Sequence, residues 1–174
     1  MRITGGKLRG RVVGGKVRPG VRPTSSRVRE ALFSMVGQNL EGVSVLDAFG
    51  GSGLLTFEAV SRGASVTTVE RNRTAARQIQ ATADALDVQL DLRIDDVRNV
   101  LSSGEWEIVL MDPPYADDPV EWVAAGVLAA TDVLVIEHRS GPTLPPSVGM
   151  FDLDRSRRHG ESVLTIYRAR SGSS

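Results

Sequence analysis

The sequence predicts an α/β domain built on a mostly parallel sheet, and three observations carry that expectation. Short apolar runs alternate with helical stripes between Val43 and Glu137. A glycine-rich turn, Gly50-Gly51-Ser52-Gly53, follows the first of those runs directly. The chain then ends on two strand-like runs with no helical pattern between them. Strands alternating with helices imply βαβ crossovers, whereas two consecutive strands imply a hairpin with an antiparallel strand, here at the sheet edge.

The elements follow in order. Residues 2–23 are rich in Gly, Arg and Pro, and the short stretches Ile3 and Val12–Val13 can pair as a hairpin. Ser25–Ser26 caps a helix whose apolar positions, Val28, Ala31, Leu32, Met35 and Val36, make one stripe, and Gly37 stops it. Val43–Asp47 reads as a buried strand, and a helix runs from the glycine turn to about Arg62, stopped by Gly63. Ser65–Glu70 is a second strand; Asn72 caps a helix carrying Ala75, Ala76, Ile79, Ala83 and Leu86. Val88–Ile94 is a third strand, followed by a short helix at Val97–Leu101. Glu107–Met111 is a fourth, Asp118–Pro119 opens a helix to about Ala129, and Val133–Glu137 is a fifth. Met150–Asp154 and Ser162–Arg168 are the terminal pair, joined by a solvated loop at Arg155–Gly160. Residues 1–24 are expected as a basic arm, 25–170 as the main domain and 171–174 as a frayed tail.

Composition removes several classes. With 41% hydrophobic and 24% charged residues, 174 residues suffice for a packed core. There is no cysteine for a disulfide, a thiolate zinc site or a nucleophile, and His138 and His159 lack metal-ligand spacing. No apolar run approaches the ~18 residues of a membrane span, and no apolar segment follows the basic N-terminus as in a secretory signal, so a cytoplasmic protein is expected. The formal charge is zero, but residues 1–30 carry nine Arg or Lys and one acid. A basic arm on an acidic body fits an anionic polymer as partner; by charge alone it fits a solvated tail equally well.

Three clusters carry chemistry. Asp47-Ala48-Phe49-Gly50-Gly51-Ser52-Gly53 places a carboxylate at a strand end before small residues, which let a cofactor approach the backbone and a helix N-terminus. Glu70 ends the next strand, where a carboxylate can hold both hydroxyls of an adenosine ribose. Together they point to a nucleoside-containing cofactor, the alternative being a tight turn without ligand. The nicotinamide fingerprint fails, because its third glycine would be Thr56. Asp95-Asp96-Val97 closes the third strand; Asp96 can accept from an adenine amino group, cap the following helix, or do both.

Asp112-Pro113-Pro114-Tyr115, directly after an apolar strand, is the most informative of the three. An amino group on an aromatic base is a poor nucleophile because its lone pair is delocalised. Acceptors set against its two N–H bonds favour the tetrahedral form, and Asp112 with a backbone carbonyl of the Pro-Pro turn can supply them. The prolines keep the turn rigid and bring no competing N–H. Tyr115 offers a ring on which an extruded base can stack. The plain alternative is a proline turn with a solvated tyrosine.

These motifs resemble those of class I Rossmann-like amino-methyltransferases. Arg2-Ile3-Thr4-Gly5-Gly6, Arg9-Gly10-Arg11, Arg22-Pro23-Thr24 and Arg27-Val28-Arg29-Glu30-Ala31-Leu32-Phe33 narrow the resemblance to the RsmD family, over about residues 2–168. That resemblance implies a seven-stranded sheet with an antiparallel last strand, helices on both faces, and S-adenosyl-L-methionine as methyl donor. It implies the N2 of one guanine in small-subunit (16S) ribosomal RNA as acceptor, guanine 966 in conventional rRNA numbering. It further implies catalytic roles for Asp112, Pro113 and Tyr115, and donor contacts from Asp47, Phe49, Gly51, Gly53, Glu70, Asp96 and Val97. Arg2, Lys7, Arg9, Arg11, Arg22 and Arg27 would contact RNA, with neither metal nor membrane involved. Gly50 stands where the family usually has alanine, Ser26 where aspartate is common, and Val97 where alanine is frequent.

Two rival functions stay in view. A DNA amino-methyltransferase shares the Asp-Pro-Pro-Tyr turn, but 174 residues leave no room for a separate target-recognition domain. A non-catalytic RNA-binding scaffold has no need of that turn.

Overall fold

The computed structural model describes residues 1–14 and 25–172 of the chain. Among them eight strands form a mostly parallel sheet whose C-terminal strands are antiparallel. The chain divides into two compact units, Met1–Val97 and Arg98–Ser174.

The first unit begins with α1 (Ser26–Val36), capped as its sequence demands: the Ser25 side chain accepts from Val28 N–H, and Gly37 N–H closes the other end on Phe33 O. Then come β1 (Ser44–Asp47), α2 (Leu54–Ser61), β2 (Ser65–Val69), α3 (Arg73–Leu86) and β3 (Asp91–Arg93). Strand β2 lies between the other two and pairs parallel with both, Val45 opposite Val66 and Thr68 opposite Leu92. Asn72 caps α3 by accepting from Ala75 N–H at 2.9 Å. Strand β3 is shorter than the expected Val88–Ile94. Val88 N–H instead closes α3 on Ala83 O, and Val88 and Leu90 pack on the core. The short α4 (Val97–Leu101) follows.

Residues 1–13 fold back on themselves as the apolar stretches suggest. Ile3 N–H donates to Arg11 O, Gly10 N–H to Ile3 O, and Val13 N–H to Met1 O. Ile3 and Val13 are buried with Leu54 and Phe57 of α2 and Ile79, Ala83 and Leu86 of α3. Beside them lies Glu58, fully buried in α2. Its carboxylate accepts from Arg29 Nε at 3.0 Å, Arg62 Nη1 at 2.6 Å, and both the N–H and hydroxyl of Thr4 at 2.9 Å. Arg29 also donates to Arg2 O, and the Arg62 guanidinium lies 4.1 Å from the Phe33 ring centre. The turn that makes this possible needs glycine at position 6. Its φ is +76°, and a Cβ there would come within 1.9 Å of Ser61 O.

The second unit holds β4 (Trp106–Met111), α5 (Pro119–Gly126), β5 (Ala130–Arg139), β6 (Ser147–Val148), β7 (Phe151–His159) and β8 (Ser162–Ala169). β4 and β5 run parallel; β8 pairs antiparallel with β5 on one side and β7 on the other, and β6 adds to β7. The last strand is therefore antiparallel, as expected, and its hairpin partner β7 and then β6 carry the antiparallel pairing out to the edge. The eighth strand is β6, two residues that no sequence pattern marks. Arg155–His159, expected in a loop, belong to β7. A two-residue turn at Gly160-Glu161, with Gly160 at φ +68°, lets pairing begin at once with His159 opposite Ser162.

Burying Glu58 is tolerable only because two guanidiniums and Thr4 meet it. Glu58→Gln should strand two buried cations and destabilise the fold by about 3–5 kcal/mol, read from the urea midpoint at pH 7.

Candidate functional site

The residues expected to hold a nucleoside cofactor come together in the first unit. Asp47 ends β1 and is 1% exposed. Its Oδ2 accepts from Thr56 Oγ1 at 2.7 Å, and Thr56 Oγ1 lies 2.8 Å from Thr68 Oγ1. One hydroxyl carries one hydrogen, so Thr56 donates to Asp47 and accepts from Thr68. Asp47 Oδ1 is buried without a hydrogen-bond partner. Burial pushes the Asp47 carboxyl up to about 6, against the pull of Thr56 and of the Phe49 and Thr56 backbone N–H groups, with a further push from Glu70. These amides temper the charge without closing on Oδ1.

Glu70 follows β2 and is 8% exposed. Its Oε2 accepts from Gly51 N–H at 2.8 Å and its Oε1 from Asn72 N–H at 2.7 Å. The carboxylate is thus fixed by two backbone amides, one in the glycine turn and one at the α3 cap. Phe49 is half-buried and Gly51 exposed. Gly53 takes φ +79° as the N-cap of α2 and has no room for a side chain, because a Cβ would stand 2.9 Å from the Phe57 ring. Gly50 is as tight: an alanine methyl would meet Thr68 Cγ2 at 2.9 Å and Ile79 Cδ1 at 3.1 Å. The face left open lies over Gly51, where the nearest atom to such a Cβ is the Phe49 carbonyl oxygen at 3.8 Å. An open glycine turn, an orphaned buried carboxylate oxygen and a second carboxylate fixed by two backbone amides fit the polar groups of S-adenosylmethionine. Asp96 is exposed just past β3, its N–H bound to Asp95 Oδ1 at 2.7 Å, while Val97 is buried at the start of α4.

The second unit holds the Asp112-Pro113-Pro114-Tyr115 motif. Asp112 is half-buried, Pro113 buried and Pro114 exposed. Pro114 O accepts from Asp117 N–H at 3.0 Å, so that carbonyl is committed to the turn. The Tyr115 ring is 43% exposed and its hydroxyl lies 2.6 Å from Ser162 Oγ. Ser162 in turn donates to Glu137 Oε1, a buried carboxylate on β5. That spends the serine hydrogen, so Tyr115 is the donor to Ser162. Sequence reasoning missed Glu137 and Ser162, and also Thr56 and Thr68. The available signal was a lone Glu at the end of an apolar strand, and polar residues inside an apolar helix and strand.

Arg2, Lys7, Arg9, Arg11 and Arg27 are exposed; Arg22 lies outside the described residues, as do Lys16 and Arg18. Arg2 donates to Gly10 O at 2.8 Å, and Lys7 lies 3.8 Å from Glu41. No described residue pairs with Arg9, Arg11 or Arg27. Among the described residues no cluster of His, Asp or Glu could hold a metal ion, and no helix is long and apolar enough to cross a membrane.

The raised Asp47 value has a consequence for stability. A carboxyl held more tightly protonated in the native state stabilises the fold at low pH, and that contribution falls as pH rises from about 4 through about 6. Asp47→Asn should therefore raise stability at pH 7, by at most about 3 kcal/mol at ~1.4 kcal/mol per pKa unit. The gain over wild type should vanish below about pH 4 in thermal melts. Equal pH profiles for the two proteins would contradict an unpaired buried carboxylate.

Known proteins are similar to this chain. The family described as Conserved hypothetical protein 95 matches residues 1–168. The Ribosomal RNA small subunit methyltransferase D of Escherichia coli K12 is 30% identical over 178 residues, covering 97% of this chain and 89% of that one. The solved Escherichia coli protein yhhF superposes with a TM-score of 0.82 at 29% identity, covering 99% of both chains. At the level of fold alone, SMU.776, a structure complexed with SAH, superposes at 0.65 and 14% identity, covering 85% of this chain and 50% of that one. With its glycine turn, strand-end carboxylates and Asp-Pro-Pro-Tyr turn each in place, and the family matched over nearly its whole length, this chain belongs to the RsmD family of Rossmann-like methyltransferases.

Proposed function

We propose that this protein methylates the exocyclic N2 of a guanine in small-subunit (16S) ribosomal RNA, guanine 966 in conventional numbering, with S-adenosylmethionine as donor. The observation that carries this reading is the Asp112–Tyr115 turn set directly beyond the buried β4 of an RsmD-family chain. The substrate places the protein with ribosomal RNA in the cytoplasm.

Glu70 holds the ribose hydroxyls of the donor, and its two backbone bonds keep it from turning to solvent. Asp47 and the Gly51 backbone serve the polar groups of the donor's amino-acid end, the Phe49 side chain borders it, and Asp96 and Val97 receive the adenine. When bound, S-adenosylmethionine supplies a methyl group on a positively charged sulfur that departs as a neutral thioether.

Asp112 and the carbonyl of Pro113 accept the two N–H bonds of the guanine amino group. Pro114 O is already engaged by Asp117 N–H, which leaves the Pro113 carbonyl for this task. Drawing both N–H bonds out of the ring plane returns the lone pair to nitrogen. Once methylated the nitrogen is acidic and loses its proton to water, so no base of high pKa is required. Tyr115 carries the extruded base on its ring while its hydroxyl stays tied to Ser162. Arg2, Lys7, Arg9, Arg11, Arg22 and Arg27 contact phosphates of the RNA. Removing residues 1–22 would be a poor test of that role, because Ile3, Val13 and Thr4 hold the core together. Neutralising Arg9 and Arg11, which are exposed, leaves the core intact.

Glu70→Ala should weaken donor binding by about 1.5–3 kcal/mol for each hydrogen bond lost, measured by calorimetry with the donor or its demethylated product. Unchanged affinity would remove Glu70 from the site. Asp112→Ala should lower single-turnover transfer to small-subunit RNA far more than RNA binding, and Asp112→Asn should also be poor because its amide competes as a donor. Tyr115→Phe should keep most activity, whereas Tyr115→Ala loses stacking of about 1–3 kcal/mol. Near-normal turnover in Asp112→Ala would sink the assignment.

A further inference from the structure

Three arginines on the strands that flank β8 are left over once the ion pairs of the second unit are assigned. Side chains alternate between the faces of a strand, so Ser162, Leu164 and Ile166 of β8 share one face. Register places Arg139 and His159 opposite Ser162, Glu137 and Arg157 opposite Leu164, and Val135 and Arg155 opposite Ile166. Tyr115 reaches this same face, because its hydroxyl bonds Ser162.

Arg155 and Arg157 are there because of an irregularity. The pairing of β7 with β8 slips between Leu153 and Arg155, leaving Asp154 as an extra residue. Without that bulge, alternation from Leu153 would turn both arginines to the opposite face. A bulge that re-aims side chains is a recurrent device next to functional surfaces.

The other arginines of this hairpin are engaged. Arg168 pairs with Asp154 at 3.1 Å, Arg170 lies 3.8 Å from Asp152, and Arg158, on the far face, donates to Gly160 O. Arg139, Arg155 and Arg157 are exposed, and no described residue forms an ion pair or hydrogen bond with any of their side chains. Arg155 and Arg157 stand about 7 Å apart, twice the ~3.4 Å strand rise, a spacing of the order of that between phosphates in an extended single strand. Arg139 lies across β8 from them.

We infer that Arg139, Arg155 and Arg157 form a phosphate-binding strip for the single-stranded RNA that flanks the target guanine. The inference rests on the methyltransferase reading above, and it adds a second RNA surface to the N-terminal one. Unpaired guanidiniums on the sheet face that an exposed aromatic ring also reaches are a combination that can hold a nucleic-acid strand with one base drawn out. The strip binds backbone rather than base edges, so it supplies affinity and register and leaves base choice to the Asp112–Tyr115 turn.

The test is equilibrium binding of a small-subunit RNA hairpin over a salt series. The proteins are wild type, the triple variant Arg139→Gln/Arg155→Gln/Arg157→Gln, and Arg158→Gln as the far-face control. The triple variant should bind about tenfold to a hundredfold more weakly near 0.1 M salt. Its log–log salt slope should fall by about 2, at ~0.7 per phosphate contact on a single strand. KM for RNA should rise while kcat at saturation and donor affinity hold, and Arg158→Gln should match wild type. Lysine at all three positions should restore most of the slope, because the charge returns. An unchanged affinity and slope in a folded triple variant would overturn the strip, as would a loss that Arg158→Gln shares equally. Wild-type protein that binds this RNA but transfers no methyl group to it would instead count against the proposed reaction.

Discussion

Glu58 sits where an α-helix would ordinarily present an apolar residue, and its burial sets conditions on everything packed around α2. A carboxylate removed from water must be met on nearly all its lone pairs. Arg29 from α1, Arg62 from the end of α2 and Thr4 from the N-terminal segment each supply part of that demand. None of the three elements is free to move while the others stay. The N-terminal hairpin is consequently a part of the first unit rather than a loose appendage, and its exposed arginines project from a backbone of fixed geometry. Helix α2 is held at its far end by the same contacts, and its near end forms the glycine turn.

That turn and its carboxylates show two ways of holding an acid beside the proposed donor site. Glu70 is stabilised as an anion by two backbone amides, and its burial is offset. Asp47 is less fully met: Thr56 donates to Oδ2 and the Phe49 and Thr56 backbone N–H groups pull against burial, yet Oδ1 has no partner and burial raises the pKa to about 6. Unsatisfied buried polar atoms are uncommon enough to need an explanation. A site that expects a polar ligand supplies one, at the expense of stability when the ligand is away.

Much of this was legible in the sequence, and what was not has identifiable causes. Helix caps at Ser25 and Asn72 and the crossover pattern depend on local chemistry, so spacing alone revealed them. The Gly50–Gly53 turn was recognisable because only small residues tolerate its geometry. Glu58 was invisible as a partner of Arg29 and Thr4, because its contacts come from 29 and 54 residues away and no local pattern encodes them. Ser162 and Glu137 were hidden for the same reason. The longer β7 was missed because Arg-Ser-Arg-Arg reads as a polar loop; cross-strand pairing to β8 overrides that composition. The two residues of β6 lie below any periodic signal.

The tie between Tyr115 and Glu137 bears on why position 115 carries a hydroxyl at all. Stacking under an extruded base asks only for a ring, which phenylalanine would also provide. A ring that is 43% exposed after a short proline turn has several rotamers open to it in water. Fixing one of them by contact alone would require burying the face that the proposed stacking uses. An edge-on hydrogen bond avoids that conflict, because it holds the ring by its rim. Ser162 donates its only hydrogen to Glu137, which leaves its oxygen as an acceptor aimed at the phenol, and Glu137 is itself fixed by burial in β5. Orientation is thus carried from the rigid interior of the sheet to an exposed side chain. The ordering entropy of the ring is met during folding rather than on binding RNA.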